Sequence, residues 1–251
     1  SEEFTLEVMK KPNIASFEVQ LNYPAYLQRR NEKLENIGDL NVPVGTTINW
    51  VFNAQYTDEL SIAFSDDQEV KTARRFDDDL FTLEKRALRD LTYRLYISND
   101  LLPNADSIGY SLSVIPDLYP EISVEAFQDS SFNKLMYFIG EASDDYGLTS
   151  LNFHYTISDV EGAAQEPVST PIAMSKGKAL RYDYTFDLQE LGLKPGDNVV
   201  YYFEVLDNDG VNGRKSARTN LMSYAVPTEE EIAAQIDENK EQIKDNLEAA
   251  L

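Results

Sequence analysis

The stretch VVYYFEVLDND (199–209) puts Val199, Tyr201, Phe203 and Val205 on one side of an extended chain and Glu204 on the other, then breaks at Asp207-Asn208-Asp209-Gly210. A period of two over this length marks a strand that buries one face. An earlier stretch, LTYRLYISND (91–100), matches it, and NWVFNAQYTDELSIAFS (49–65) can be laid over YFIGEASDDYGLTSLNFHYTIS (137–158). Each member of the second pair reads as a buried strand, an acidic turn and another strand. A repeat of this kind means two copies of one structural unit.

Alternation of the same sort runs through most of the chain up to about residue 226. Ile48, Trp50, Phe52 and Ala54 share one face, as do Leu180, Tyr182, Tyr184, Phe186 and Leu188. Turn signals separate the runs: Pro43-Val44-Gly45-Thr46, Asp144-Asp145-Tyr146-Gly147 and Pro195-Gly196-Asp197. Many short strands at this spacing predict β-sandwiches. The expected fold is therefore mostly β: two tandem Ig-like β-sandwich domains, 13–116 and 117–227, followed by a C-terminal α-helix. Tyr110–Val114 before Pro116 and Met222–Val226 before Pro227 read as closing strands, because a proline blocks continuation of the ladder. Phe4–Val8 before Pro12 has the same form, so residues 1–12 read as the last strand of an upstream domain or a linker. The first domain is expected to use strands at 15–23, 46–54, 59–65, 68–76, 80–86, 91–99 and 107–115, with 26–43 as a long polar excursion. The second is expected at 121–127, 134–142, 148–158, 179–188, 198–207 and 220–226, with a short strand near 167–173.

After Pro227 the period changes. Thr228 and Glu231 fit a capping box, and Ile232, Ile236, Ile243 and Leu247 recur at spacings of 4, 7 and 4, which is one face of a helix. Residues 228–251 are thus expected to start an amphipathic helical region. With eight acids and two lysines in that segment, its stripe points to protein partners or self-association rather than to packing on an acidic sandwich.

Composition narrows function mainly by exclusion. The 251 residues carry a net charge of −22, which argues against nucleic-acid binding, since phosphate contacts need surplus Lys and Arg. There is no cysteine, so disulfides and thiolate metal sites are ruled out. No segment is apolar enough to span a membrane. The opening Ser1-Glu2-Glu3-Phe4 reads as a piece of a longer chain.

NYPAYLQRRNEKLENIGDLNVPVGTTINWVF (22–52), ASDDYGL (142–148) and DNDGVNGRKSAR (207–218) together resemble the patterns of an uncharacterised group of large membrane-anchored envelope proteins from Bacteroidetes-type bacteria. That resemblance implies N-terminal membrane helices outside this chain, tandem Ig-like domains in the periplasm or another extracytoplasmic space, and a long helical C-terminal region. It implies no activity and carries over no catalytic residue.

The residues themselves give little material for catalysis. The single histidine, His154, lies on the polar side of the run Leu151, Phe153, Tyr155, Ile157, so no catalytic residue is expected. Tyr96 and Tyr202 fall on solvent faces, where they could stack on sugars or simply line a strand. The acidic turns are more suggestive. In an Ig-like sandwich the B–C and F–G loops share one end, which draws Asp144 and Asp145 towards Asp207 and Asp209. Carboxylates gathered there need solvent, a basic partner such as Arg214 or Lys215, or a bridging cation. Asp144, Asp145, Asp207 and Asp209 are therefore the candidate ligands of a structural calcium; no other cofactor is indicated. The sequence favours a non-catalytic spacer, scaffold or interaction module, with a carbohydrate-binding or accessory sandwich attached to an enzyme as the alternative.

Overall fold

The computed structural model describes residues 10–103, 105–128 and 134–249. They divide into two units, one running up to Asp117 together with Gly210–Asn212, the other comprising Leu118–Asp209 and the chain from Gly213 onward. The strand expected at Phe4–Val8 lies outside the described residues.

In the first unit the strands are β1 (Asn13–Asn22), β2 (Glu32–Glu35), β3 (Leu40–Pro43), β4 (Thr47–Gln55), β5 (Glu59–Phe64), β6 (Lys71–Thr72), β7 (Arg74–Arg75), β8 (Leu80–Arg86), β9 (Leu91–Ser98) and β10 (Asp106–Ile115). They form two five-stranded sheets, in the orders β2-β1-β4-β8-β7 and β3-β10-β9-β5-β6. Inward residues of one sheet (Val19, Ile48, Trp50, Phe52, Phe81) meet those of the other (Leu60, Ile62, Tyr93, Leu95, Leu112) in one core. Trp50 is fully buried at its centre.

Two expectations are corrected here. The excursion at 26–43 is not a plain connection: β2 pairs antiparallel with β1, and β3 pairs parallel with β10. Leu34 packs against the core, and Leu40 and Val42 belong to it. The strand expected over 68–76 is instead two short pieces, β6 on one sheet and β7 on the other, divided at the buried Ala73.

The second unit contains β11 (Glu121–Gln128), β12 (Leu135–Ser158), β13 (Val168–Ile172), β14 (Gly177–Asp187), β15 (Asn198–Asp207), β16 (Ser216–Arg218), β17 (Met222–Ala225) and the helix α1 (Glu229–Ala249). β12 stays extended for 24 residues, across the turn that separates the expected B and C strands. It nevertheless reverses. Phe138 and Phe153 would lie about 50 Å apart on a straight strand, yet their ring centroids are 6.1 Å apart. The corner is at Asp144–Gly147, where Gly147 has φ +146, a conformation that side chains with a Cβ rarely adopt. Before the corner β12 is flanked by β11 and β14; after it, by β13 and β15. One strand thus serves both layers of the sandwich. Between them lie Phe138, Phe153, Tyr182, Phe186, Tyr201 and Phe203, all buried. Gly140 lets Tyr182 lie across it: a Cβ there would be 2.2 Å from the Tyr182 ring, whose hydroxyl donates to Ser123 O at 2.9 Å.

The last expected strand, 220–226, is preceded by a further short piece, so β16 and β17 both pair with β15. The helix then begins as its sequence requires. Glu231 N donates to Thr228 Oγ1 at 3.2 Å, and Thr228 N donates back to Glu231 Oε2 at 2.8 Å, closing the capping box. Ile232, Ile236, Ile243 and Leu247 are 38–65% exposed. Among the described residues no helix is long and apolar enough to cross a membrane.

Candidate functional site

Strand periodicity carries Asp207 inward at the end of β15, two positions beyond the core residue Val205, and it is fully buried. A carboxylate there is stable only with hydrogen bonds and a counter-charge. Both are present. Asp207 Oδ1 accepts from the backbone N–H of Asp209 at 3.1 Å and of Lys215 at 2.8 Å. Lys215 Nζ lies 2.6 Å from Asp207 Oδ2 and 3.0 Å from Asp209 Oδ2. The ammonium therefore joins two nearly buried acids, and the Asp207 N–H bonded to Lys215 O at 3.0 Å fixes the register that puts it there.

The facing corner of β12 uses its acids differently. Asp144 Oδ2 accepts from the N–H groups of Tyr146, at 2.9 Å, and Gly147, at 2.7 Å, so its carboxylate shapes the turn. Lys178 Nζ donates to Asp145 O at 2.5 Å. Asn208 Nδ2 donates to Tyr146 O at 3.2 Å and ties the loop after β15 to this corner. The two acidic turns do share one end, as topology predicts. Their carboxylates are divided, however: among the described residues, Asp144 and Asp145 do not gather with Asp207 and Asp209 into one set of ligand oxygens. Of the ways to neutralise Asp207 and Asp209, the structure has the Lys215 ammonium between them. A calcium ion held by both, which needs several oxygens around it, would have to displace that ammonium. Asn208 and Lys178 were missed in the sequence, since their role depends on cross-strand neighbours far away along the chain.

His154 forms a second polar constellation, on the solvent side of β12 as alternation predicts. Its ring stacks on Tyr202 with centroids 4.8 Å apart and planes at 13°. His154 Nε2 is 3.3 Å from Glu204 Oε2, and Arg218 Nε donates to Glu204 Oε1 at 2.9 Å. Burial alone would raise the Glu204 pKa, but the Arg218 hydrogen bond, a Ser216 hydrogen bond and the neighbouring positive charge hold it below the ordinary value. The Arg218 guanidinium also lies over the Tyr202 ring, 5.1 Å from its centroid. Tyr202 is thus engaged by His154 and Arg218 rather than presented as an open stacking platform.

No known protein family matches the chain. No curated protein matches it either. Among solved structures it is similar to dimeric latent PorU from Porphyromonas gingivalis, at 15% identity over 88% of this chain, with a TM-score of 0.28; it spans only 20% of that chain's length. It is also similar to the fibronectin(III)-like modules of Clostridium thermocellum CbhA, at 13% identity over 84% of this chain and 93% of that one, with a TM-score of 0.25. A third is a protein from Bacteroides uniformis for which carbohydrate binding is proposed, at 13% identity over 68% of this chain and 89% of that one, with a TM-score of 0.30. At this level the likeness is one of fold alone.

Proposed function

We propose that this chain is a non-catalytic, extracytoplasmic tandem Ig-like module that acts as a spacer or scaffold segment of a larger envelope protein. The observation that carries the reading is the Lys215 ammonium within 3.0 Å of both Asp207 and Asp209. At the loop end, where a sandwich commonly displays functional groups, Asp207 and Asp209 are neutralised from within. They hold a loop in place and need no ligand to do so. The envelope setting follows from the resemblance of 22–52, 142–148 and 207–218 to that protein group. The exposed stripe of α1 supports a role in assembly, since such a face is stable only when another apolar surface covers it.

The test is made in the parent protein. Asp207→Asn and Asp209→Asn combined with Lys215→Met remove all three charges of the site while retaining similar shapes. A spacer keeps the parent protein's cellular role when the triply substituted module is folded. Loss of that role in a variant shown by circular dichroism to be folded would mean that the acidic end acts on a ligand or substrate.

A further inference from the structure

The outer face of the layer formed by β11, the first half of β12 and β14 carries two aromatic residues at directly opposed positions. Phe127 is directly opposite Tyr137 in the β11–β12 register, and Tyr137 is opposite Thr185 of β14. Directly opposed residues on antiparallel strands point to the same side, with Cβ atoms about 5 Å apart. The buried neighbours Met136 and Phe138 point inward, which leaves Phe127 47% and Tyr137 41% exposed. In the next row Ile139 lies between Glu125 and Asp183, and in the row after that Glu141 lies between Ser123 and Arg181. Arg181 Nε is 3.2 Å from Glu141 Oε1. Residues of this third row, with Glu121, Ser143 and Ala179, line an open groove of about 490 Å³.

We propose that this face binds a neutral oligosaccharide. The C–H faces of pyranose rings are apolar and pack on aromatic rings, while sugar hydroxyls donate well to carboxylates. Tyr137 and Phe127 supply the rings. Glu125 and Asp183, one row away, supply the acceptors, and the groove beyond them receives further sugar units along the Arg181–Glu141 pair. Charge selects among occupants. Glu121, Glu125, Glu141 and Asp183 outnumber Arg181, so an acidic polymer, or a second copy of this face, would set like charges together. A neutral polyol meets no such penalty. The inference goes beyond the spacer reading and stands apart from it, since a spacer that holds a glycan is still non-catalytic.

The experiment is affinity electrophoresis of the whole chain through gels containing soluble β-glucan, xylan or galactomannan, followed by titration calorimetry with a hexasaccharide of the retarding type. Retardation by at least one polysaccharide is expected. Tyr137→Ala should weaken binding about tenfold or more, because a lost ring contact together with its buried area is worth roughly one decade in affinity. Asp183→Asn should weaken it less, and Tyr96→Ala, in the other unit, should leave it unchanged. Melting curves should show each variant folded. The proposal is overturned if none of the three polysaccharides retards the chain, or if Tyr137→Ala and Phe127→Ala are retarded like the parent. Self-association in sedimentation that is lost with Tyr137→Ala would also overturn it, by making the face a protein interface.

Discussion

The indole Nε1 of Trp50 donates to the Tyr93 hydroxyl at 3.3 Å, and the two rings meet edge to face with centroids 5.3 Å apart. The second sandwich repeats the crossing with Phe138 and Tyr201, whose centroids are 5.6 Å apart at 66°. The internal sequence repeat superposes these same positions, Trp50 on Phe138 and Tyr93 on Tyr201. The repeat therefore encodes one ring pair that joins the two layers of each sandwich.

Trp50→Ala should destabilise the chain by about 3–5 kcal/mol, as large-to-small changes at filled core sites do. Trp50→Phe should cost less, because it keeps most of the packing and loses the hydrogen bond to Tyr93. Chemical denaturation followed by far-ultraviolet circular dichroism measures both. A near-neutral Trp50→Ala would contradict the packing described.

Alkaline pH should weaken the fold through Tyr93. Burial pushes its hydroxyl well above the ordinary tyrosine value. Below a pH of about 10 the hydroxyl is protonated in both the folded and unfolded chain, and its contribution is intact. Above that, the unfolded chain releases the proton while the folded chain keeps it, so stability falls as pH rises. The slope of unfolding free energy between about pH 9 and 11 should be shallower in Tyr93→Phe than in the parent. Equal slopes would show that Tyr93 ionises freely in the folded state.

Much of this was legible because alternation and burial have one cause. Trp50, Phe138, Tyr201 and Phe203 sit where a period of two puts them, and Thr228 with Glu231 closes the capping box that their spacing spells. The misreadings also have physical reasons. β2 is Glu-Lys-Leu-Glu, with only Leu34 packed against the core, so it reads as solvated chain. β3 ends in a proline, and its pairing with β10 joins residues far apart along the chain. The run at 68–76 changes sheets at Ala73, which no local pattern announces. At the acidic end, the sequence offered both Arg214 and Lys215 as partners for the acids. The choice rests on the backbone pairing of Asp207 with Lys215, a property of the folded loop.

The helix α1 should contribute little to the stability of the sandwich that precedes it. Its apolar stripe is substantially exposed, and most of a helix's stability in a protein comes from packing such a face. A chain ending at Thr228 should melt within a few degrees of the full chain. Thr228→Ala should lower helicity, since a lost N-cap costs about 1 kcal/mol, with little change in the main transition. A large fall on truncation would place α1 in the core of the second unit.

The most direct test of the account is a double-mutant cycle on Asp207 and Lys215, read by equilibrium denaturation. Lys215→Met should cost about 3–5 kcal/mol, because it strands two buried carboxylates, and Asp207→Asn should cost less, because the ammonium keeps Asp209 at 3.0 Å. The double variant should recover part of that loss, giving a coupling of about 2 kcal/mol. If instead Lys215→Met is as stable as the parent, or the two losses simply add, the ammonium does not neutralise these acids. Asp207 and Asp209 would then be open to a ligand, and the claim that they are neutralised from within would be wrong.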